Sequence, residues 1–197
     1  MSSYQKHHLA REFQKQVFIL GFTIGIFWIL ELMDVFLLND RLNSFGIEPR
    51  TLSGLQGLIF APFLHGGLGH LVANTVPFLT LGWLTMIQET SDFYIVSLVT
   101  MLVGGLGVWL FGATGSVHIG ASILIFGYLG FLLLRGYFQK NIPSILLSVI
   151  VFFLYGGLVW GVLPSQPGIS WEGHLFGFLG GSIAAWMIAK EKKFYRQ

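Results

Sequence analysis

Polar positions along the chain are sparse and gather at intervals, leaving apolar runs long enough to cross a bilayer. A spanning helix needs about 20 mostly apolar residues. Six runs meet or approach that length, at residues 17–38, 70–87, 93–113, 119–134, 142–163 and 171–189. The first is not a cleavable signal peptide. It is too long, lacks a small-residue cleavage site and carries Glu31 and Asp34 near its end. A longer connection, residues 39–69, joins the first two runs. Within it, residues 51–64 are apolar but too short to cross, and Gly54, Gly57 and Pro62 interrupt them. Such a stretch predicts a re-entrant or interfacial segment. The expected fold is therefore an all-α polytopic membrane protein, a six-helix bundle with a partly submerged first loop. Residues 1–16 and 190–197 read as polar tails around a membrane domain at 17–189.

Composition agrees with the pattern. Of 197 residues, 54% are hydrophobic, 16% aromatic and only 10% charged, with a mean hydropathy of +0.72. A soluble domain carries about 25% charged residues, so disorder and an ordinary water-soluble globule are both excluded. No cysteine is present, which excludes disulfides, thiolate metal sites and a cysteine nucleophile. The net charge of +2 and the lack of a basic stripe argue against nucleic-acid binding. Charge placement is more informative. Lys6, Arg11, Lys15, Arg135, Lys140, Lys190, Lys192, Lys193 and Arg196 fall on one side of the predicted spans, and only Arg41 and Arg50 on the other. By the positive-inside rule both termini are cytoplasmic, and the chain reads as a multi-pass protein of the cell membrane.

With that orientation, the second, fourth and sixth runs enter from the outer side. Near their outer ends stand His70 and Asn74, then Ser122, then His174. Polar side chains within spans are costly and usually mark function. His70 and Asn74 are spaced i, i+4 and share a helix face. Ser122 starts a short fourth run, so its helix can begin within the membrane, where unpaired backbone N–H groups and the helix dipole favour a developing oxyanion. His174, Gly177 and Gly181 share a face, and Gly-x-x-x-Gly spacing lets helices approach closely in lipid. If that face meets the fourth helix, the imidazole reaches the Ser122 hydroxyl and can activate it. Phe126, at i+4 from Ser122, can lie beneath the ring. No acidic residue is placed as a third member, since Glu172 points to another face, so a Ser–His dyad is favoured over a triad.

These residues resemble the rhomboid family of intramembrane serine proteases. The pattern H-x4-H-x3-N appears as His65, His70 and Asn74; G-x-S as Gly120, Ala121 and Ser122; H-x2-G-x3-G as His174, Gly177 and Gly181. Each is short, but their order and placement together are specific, and the match covers nearly the whole chain. The resemblance implies a six-transmembrane-helix rhomboid-like bundle with a water-accessible site below the outer surface. It implies Ser122 as nucleophile, His174 as base and then acid, and an oxyanion hole of the Ser122 N–H with the His70 and Asn74 side chains. It implies transmembrane protein substrates in a lipid bilayer, no cofactor, and a fifth helix and a loop at 164–170 that serve as gate and lid. Three features depart from the family pattern. Ile123 stands where Gly often follows the serine, Phe126 stands where Tyr is common, and a Trp-Arg pair is absent from the first loop.

Other readings compete. A serine in a membrane helix commonly bonds its own i−4 carbonyl, the ordinary reading of Ser116, Ser148 and Ser182. His65 and His118 either pack or assist the site. Gly104, Gly105 and Gly107 serve helix packing, and Glu31 and Asp34 reach the interface or carry protons. A catalytically inactive relative that binds membrane segments is the main alternative to a protease. A metal-dependent protein or an ion transporter using His65, His70, His118 and His174 is a third, disfavoured because no H-E-x-x-H motif or clustered carboxylate accompanies them and no paired broken helices are evident in the sequence. The expectation is no metal.

Overall fold

Helices form where the apolar runs lie. A computed structural model describes residues 3–164 and 168–194. Helix α1 (Ser3–Met33) continues through a π-helical turn at Asp34–Leu38. The short α2 (Gly57–Phe60) is flanked by 3-10 turns at Ser53–Gln56 and Ala61–Phe63. Then come α3 (Leu68–Met86), α4 (Thr90–Phe111), α5 (Ser122–Gln139) and α6 (Ile142–Tyr155), the last extended by a 3-10 segment at Gly156–Val162. Helix α7 (Trp171–Phe194) completes the bundle. Among the described residues there is no strand, only a single bridge between Ile47 and His118.

Four segments are long and apolar enough to cross a membrane: Tyr4–Leu38, Thr90–Phe111, Ser122–Gln139 and Ile142–Val162. A fifth is added if Ser53–Phe63 and Leu68–Met86, which meet at 68°, count as one broken span. Helix α7 falls outside this set because its glycines and its Glu, His and Lys residues lower its hydropathy, and its packing accommodates them. It lies along α5 and α4, and Glu172, Gly173, His174, Gly177, Gly180 and Gly181 are buried in it. A helix shielded by protein needs little lipid-facing hydropathy. Four to five spans are what length and hydropathy support; six is the reading of the sequence pattern.

Helix α5 is the axis of the bundle. Every residue from Ile123 to Leu132 on it is buried, the mark of a helix enclosed on all sides. By contrast, α6 shows Leu146, Phe152, Phe153 and Leu154 on its outer face, as lipid contact requires. The tail boundary expected at residue 16 is not a structural break. Residues before it belong to α1, and Gln16 is buried, donating to the Met86 carbonyl (3.2 Å) and Thr90 Oγ1 (3.1 Å) while accepting from Trp83 Nε1 (3.2 Å). Helix α7 likewise runs past residue 190 to Phe194. Glu31 and Asp34 are enclosed by protein, each only 2% exposed, and Asp34 accepts from the Leu42 N–H at 2.8 Å.

Two contacts set the position of α5 against α7. A Cβ on Gly177 would overlap the Ile123 carbonyl oxygen, and one on Gly181 would overlap that of Gly127. At the end of α5 away from Ser122, Arg135 and Asp92 form a 2.8 Å ion pair with side chains 0% and 2% exposed, and Gln88 accepts a further bond from Arg135. A Gly181→Ala substitution should destabilise the folded protein by about 1–3 kcal/mol or more, the usual range for overpacking. Gly21→Ala, where nothing lies within 4 Å of the new methyl, should be neutral or slightly stabilising. Thermal unfolding of both variants in detergent checks the contrast.

Candidate active site

Ser122 is the first residue of α5. The chain reaches it through Gly120, whose φ of +121° is one that L side chains rarely adopt. A Cβ at Gly120 would also lie 2.7 Å from His70 Cε1 and 2.8 Å from His70 Nε2. Glycine therefore serves twice here, permitting the turn and admitting the imidazole. Ser122 Oγ lies 3.7 Å from that same Cβ position, so the His70 ring and the Ser122 hydroxyl flank one point.

The hydrogen bonds assign the His70 tautomer. Nδ1 accepts from the Gly66 N–H at 3.3 Å. In the neutral ring the proton then sits on Nε2, the nitrogen facing Gly120. The start of α5 supplies further donors. The Ala121 N–H points to His65 Nε2 at 3.5 Å, and the Leu124 and Ile125 N–H groups both donate to the Ala121 carbonyl at 3.0 Å. The N–H groups of Ser122 and Ile123 have no acceptor among the described residues, as expected for the first turn of a helix. Asn74 is buried one turn along α3 from His70. Its Nδ2 donates to the His70 carbonyl at 3.1 Å, leaving its second N–H free for another acceptor.

His174 lies in the first turn of α7 and is 8% exposed. The Phe126 ring stacks on it with centroids 4.0 Å apart and planes 7° from parallel. His174 Nδ1 lies 2.9 Å from the Gly161 carbonyl oxygen. A carbonyl only accepts, so Nδ1 carries the proton and Nε2 keeps its lone pair. A Cβ on Gly161 would lie 2.7 Å from Phe126 Cζ, so glycine is what lets the 3-10 segment close over both rings. Backbone geometry thus gives this imidazole an orienting partner that a carboxylate supplies in a triad. Sequence reasoning missed it, since a carbonyl belongs to every residue and leaves no mark in the chain. Glu172 is buried beside His174 in sequence but makes no hydrogen bond to it among the described residues.

Ile123 finds its place between helices. Its Cδ1 would be 2.7 Å from a Cβ on Gly104, and the same Cβ would be 3.3 Å from the Gly177 Cα. Gly104 therefore makes the room that Ile123 occupies. Gly105 and Gly107 admit Leu58 and Phe176 in the same way. Ser122 borders a cavity of about 20 Å³ with Gly120, Ile123, His118, Ser170 and Gly173, room for roughly one water. No hydrogen bond of 3.5 Å or less joins Ser122 Oγ to His174; such bonds are often loose before substrate is bound. Part of the segment expected as a lid, residues 165–167, lies outside the described residues. Among the described residues no group of three or more His, Asp or Glu side chains is clustered to hold a metal.

A family model described as the Rhomboid domain matches residues 53–191, which include every residue of this site. The chain belongs to the rhomboid family. Among its relatives, an uncharacterised protein of Mycobacterium tuberculosis (strain H37Rv) is 42% identical over 179 residues, covering 86% of this chain and 74% of that one. An uncharacterised protein of Mycobacterium leprae is 40% identical over 186 residues, covering 90% and 73%. A Bacillus subtilis protein named "Putative rhomboid protease YdcA" is 25% identical over 181 residues, covering 90% and 88%. Membership in the family and several apolar helices make the chain an integral membrane protein.

The two site histidines should hold opposite tautomers. In protein labelled with 15N-histidine, at a pH where both rings are neutral, His174 should show a protonated Nδ1 and His70 a protonated Nε2. The same tautomer at both would contradict the hydrogen-bond assignment.

Proposed function

We propose that this rhomboid is an intramembrane serine endopeptidase that cuts transmembrane protein substrates near the outer membrane face. The observation that carries the reading is the imidazole of His174, held between Phe126 and the Gly161 carbonyl with its proton on Nδ1, on a helix that packs against the buried helix begun by Ser122. Charge asymmetry supports a cell-membrane protein with both termini cytoplasmic.

In this mechanism, His174 Nε2 takes the proton of Ser122 Oγ as the oxygen attacks the scissile carbonyl carbon. The carbonyl electron pair moves to its oxygen. That oxyanion accepts from the Ser122 N–H, His70 Nε2–H and the second N–H of Asn74, with the positive end of the α5 dipole behind them. Collapse breaks the C–N bond, His174 protonates the leaving amine, and an ester on Ser122 remains. Water then attacks the ester with His174 again as base, releasing the new carboxylate and restoring the hydroxyl. Apart from the substrate and water, every group in the sequence of steps is a side chain or backbone amide of the chain.

A second reading is a relative that binds membrane segments without cutting them. The absence of a Ser122–His174 hydrogen bond and the isoleucine after the serine favour it. A fluorophosphonate probe separates the two. Labelling of wild-type protein should disappear in Ser122→Ala and in His174→Ala. Both variants should lose cleavage of a co-expressed membrane substrate by at least ~10³-fold, as removal of a member of such a unit does. His70→Ala or Asn74→Ala should cost about 10²- to 10³-fold in kcat, the range for one oxyanion donor. A folded Ser122→Ala protein that still cuts at the wild-type rate would refute the protease.

A further inference from the structure

His118 lies in the loop between α4 and α5, four residues before Ser122, and the proposed chemistry makes no use of it. Its backbone is fixed on one side. The His118 N–H donates to the Ile47 carbonyl, and the Ile47 N–H donates to the His118 carbonyl, both at 2.9 Å. Its imidazole is fixed on two more. Nδ1 lies 2.6 Å from Ser170 Oγ, and Nε2 lies 2.7 Å from Ser116 Oγ.

The direction of each bond follows from the others. Ser116 Oγ donates its one proton to the Ala113 carbonyl at 2.6 Å. It must therefore accept from His118 Nε2–H. The neutral ring then has a bare Nδ1, which accepts from the Ser170 hydroxyl. Ser170 Oγ in turn accepts from the Gly173 N–H at 3.2 Å. A single chain of donors results, running from the Gly173 N–H through Ser170, His118 and Ser116 to the Ala113 carbonyl, with each hydroxyl and both ring nitrogens satisfied. Burial holds the His118 imidazole below the ordinary histidine range, while the Glu172 carboxylate pulls it the other way.

The position of this chain gives it meaning. Ser170 immediately precedes α7 and caps it, because its Oγ takes an N–H of the first turn, and its carbonyl takes the His174 N–H at 3.2 Å. The helix so capped carries His174. The loop that carries His118 leads directly into Ser122. Ser122, His118, Ser170 and Gly173 also border one small cavity. The glycine contacts at residues 177 and 181 hold α5 and α7 together below the site, and the imidazole of His118 ties their N-terminal ends above it.

We infer that His118 is a positioning residue, clasping the N-terminal cap of α7 to the loop before α5 and so setting the separation of the Ser122 hydroxyl and the His174 imidazole. It touches neither substrate nor reacting atom. The inference rests on the protease reading for its effect on rate, but the clasp itself can be tested without it.

The experiment measures three quantities in detergent-purified His118→Ala, Ser170→Ala, their double variant and Ser170→Thr. They are the cleavage constants, the rate of fluorophosphonate labelling of Ser122, and amide hydrogen exchange at Gly173 and His174. Loosening two catalytic groups by a fraction of an ångström to 1 Å costs up to ~10²-fold. His118→Ala and Ser170→Ala should each lower kcat and labelling rate together by about 10- to 100-fold, with KM within about twofold of wild type. The double variant should be no worse than the poorer single one, since both break the same tie. Ser170→Thr, which keeps the hydroxyl, should recover most of the rate. Exchange in the first turn of α7 should quicken in His118→Ala as well as in Ser170→Ala. Unchanged exchange at Gly173 and His174 in His118→Ala overturns the clasp whatever the activity. Faster exchange with unchanged kcat and labelling in the folded fraction overturns the positioning role. Wild-type protein that neither labels nor cleaves defeats the protease reading instead, and the exchange result still decides the clasp.

Discussion

Two helix backbones in near contact govern this molecule. Along α7, Gly177 and Gly181 present bare Cα atoms to the carbonyl oxygens of Ile123 and Gly127 on α5, and no side chain larger than hydrogen fits between them. In lipid there is no hydrophobic gain in bringing one apolar helix against another, so close van der Waals contact between backbones carries the association. Ile123 is one residue from Ser122, and Gly177 is one turn from His174, so this contact joins the two helices that carry the proposed dyad. From α5, the Phe126 ring stacks on the His174 imidazole with centroids 4.0 Å apart. Gly104 on α4 completes the fit by receiving Ile123, which turns an apparent obstruction beside the serine into part of the packing.

Polar groups enclosed with so few charges must find partners inside the protein. The two ends of α5 solve this differently. At its C-terminal end, Arg135 meets Asp92 directly, and the Gln88 and Gln139 amides accept from the guanidinium as well. At its N-terminal end the partners are mostly neutral, being backbone carbonyls, serine hydroxyls and imidazoles that can be turned to suit one another. A charged pair holds a structure but offers no proton to move. In the proposed chemistry, rings oriented by neighbouring amides and carbonyls, as at His70 and His174, pass a proton without a permanently buried ion.

In the proposed dyad, a backbone carbonyl stands where the acid of a Ser–His–Asp set would be. Gly161 offers a carbonyl dipole where a carboxylate would offer a full charge. A dipole orients the ring and selects the tautomer, but stabilises an imidazolium less strongly than an anion would. The same glycine must be small to sit against Phe126, so ring stacking and ring orientation depend on one residue of the 3-10 segment that follows α6.

Much was legible in the chain itself. Apolar run lengths located each long helix, because enclosure in hydrocarbon leaves a helix no other way to satisfy its backbone, but not every end: α1 begins at Ser3, well before its apolar run, and α7 continues past its own to Phe194. The Gly177–Gly181 spacing marked a packing face, because helical periodicity is a local property. The broken segment before α3 was readable from Gly54, Gly57 and Pro62. What the chain could not carry were relations between distant segments. That the buried face of α7 lies along α5 and α4 depends on which neighbours enclose it. The Gly161 carbonyl bears no side-chain signature. Ser170 looked like a loop residue and His118 like a choice between packing and assistance, until folding set 52 residues of separation at a distance of one hydrogen bond. Periodicity and composition act along the chain and can be read there. Which donor meets which acceptor is decided only when helices close upon one another, and that is a property of the packed bundle.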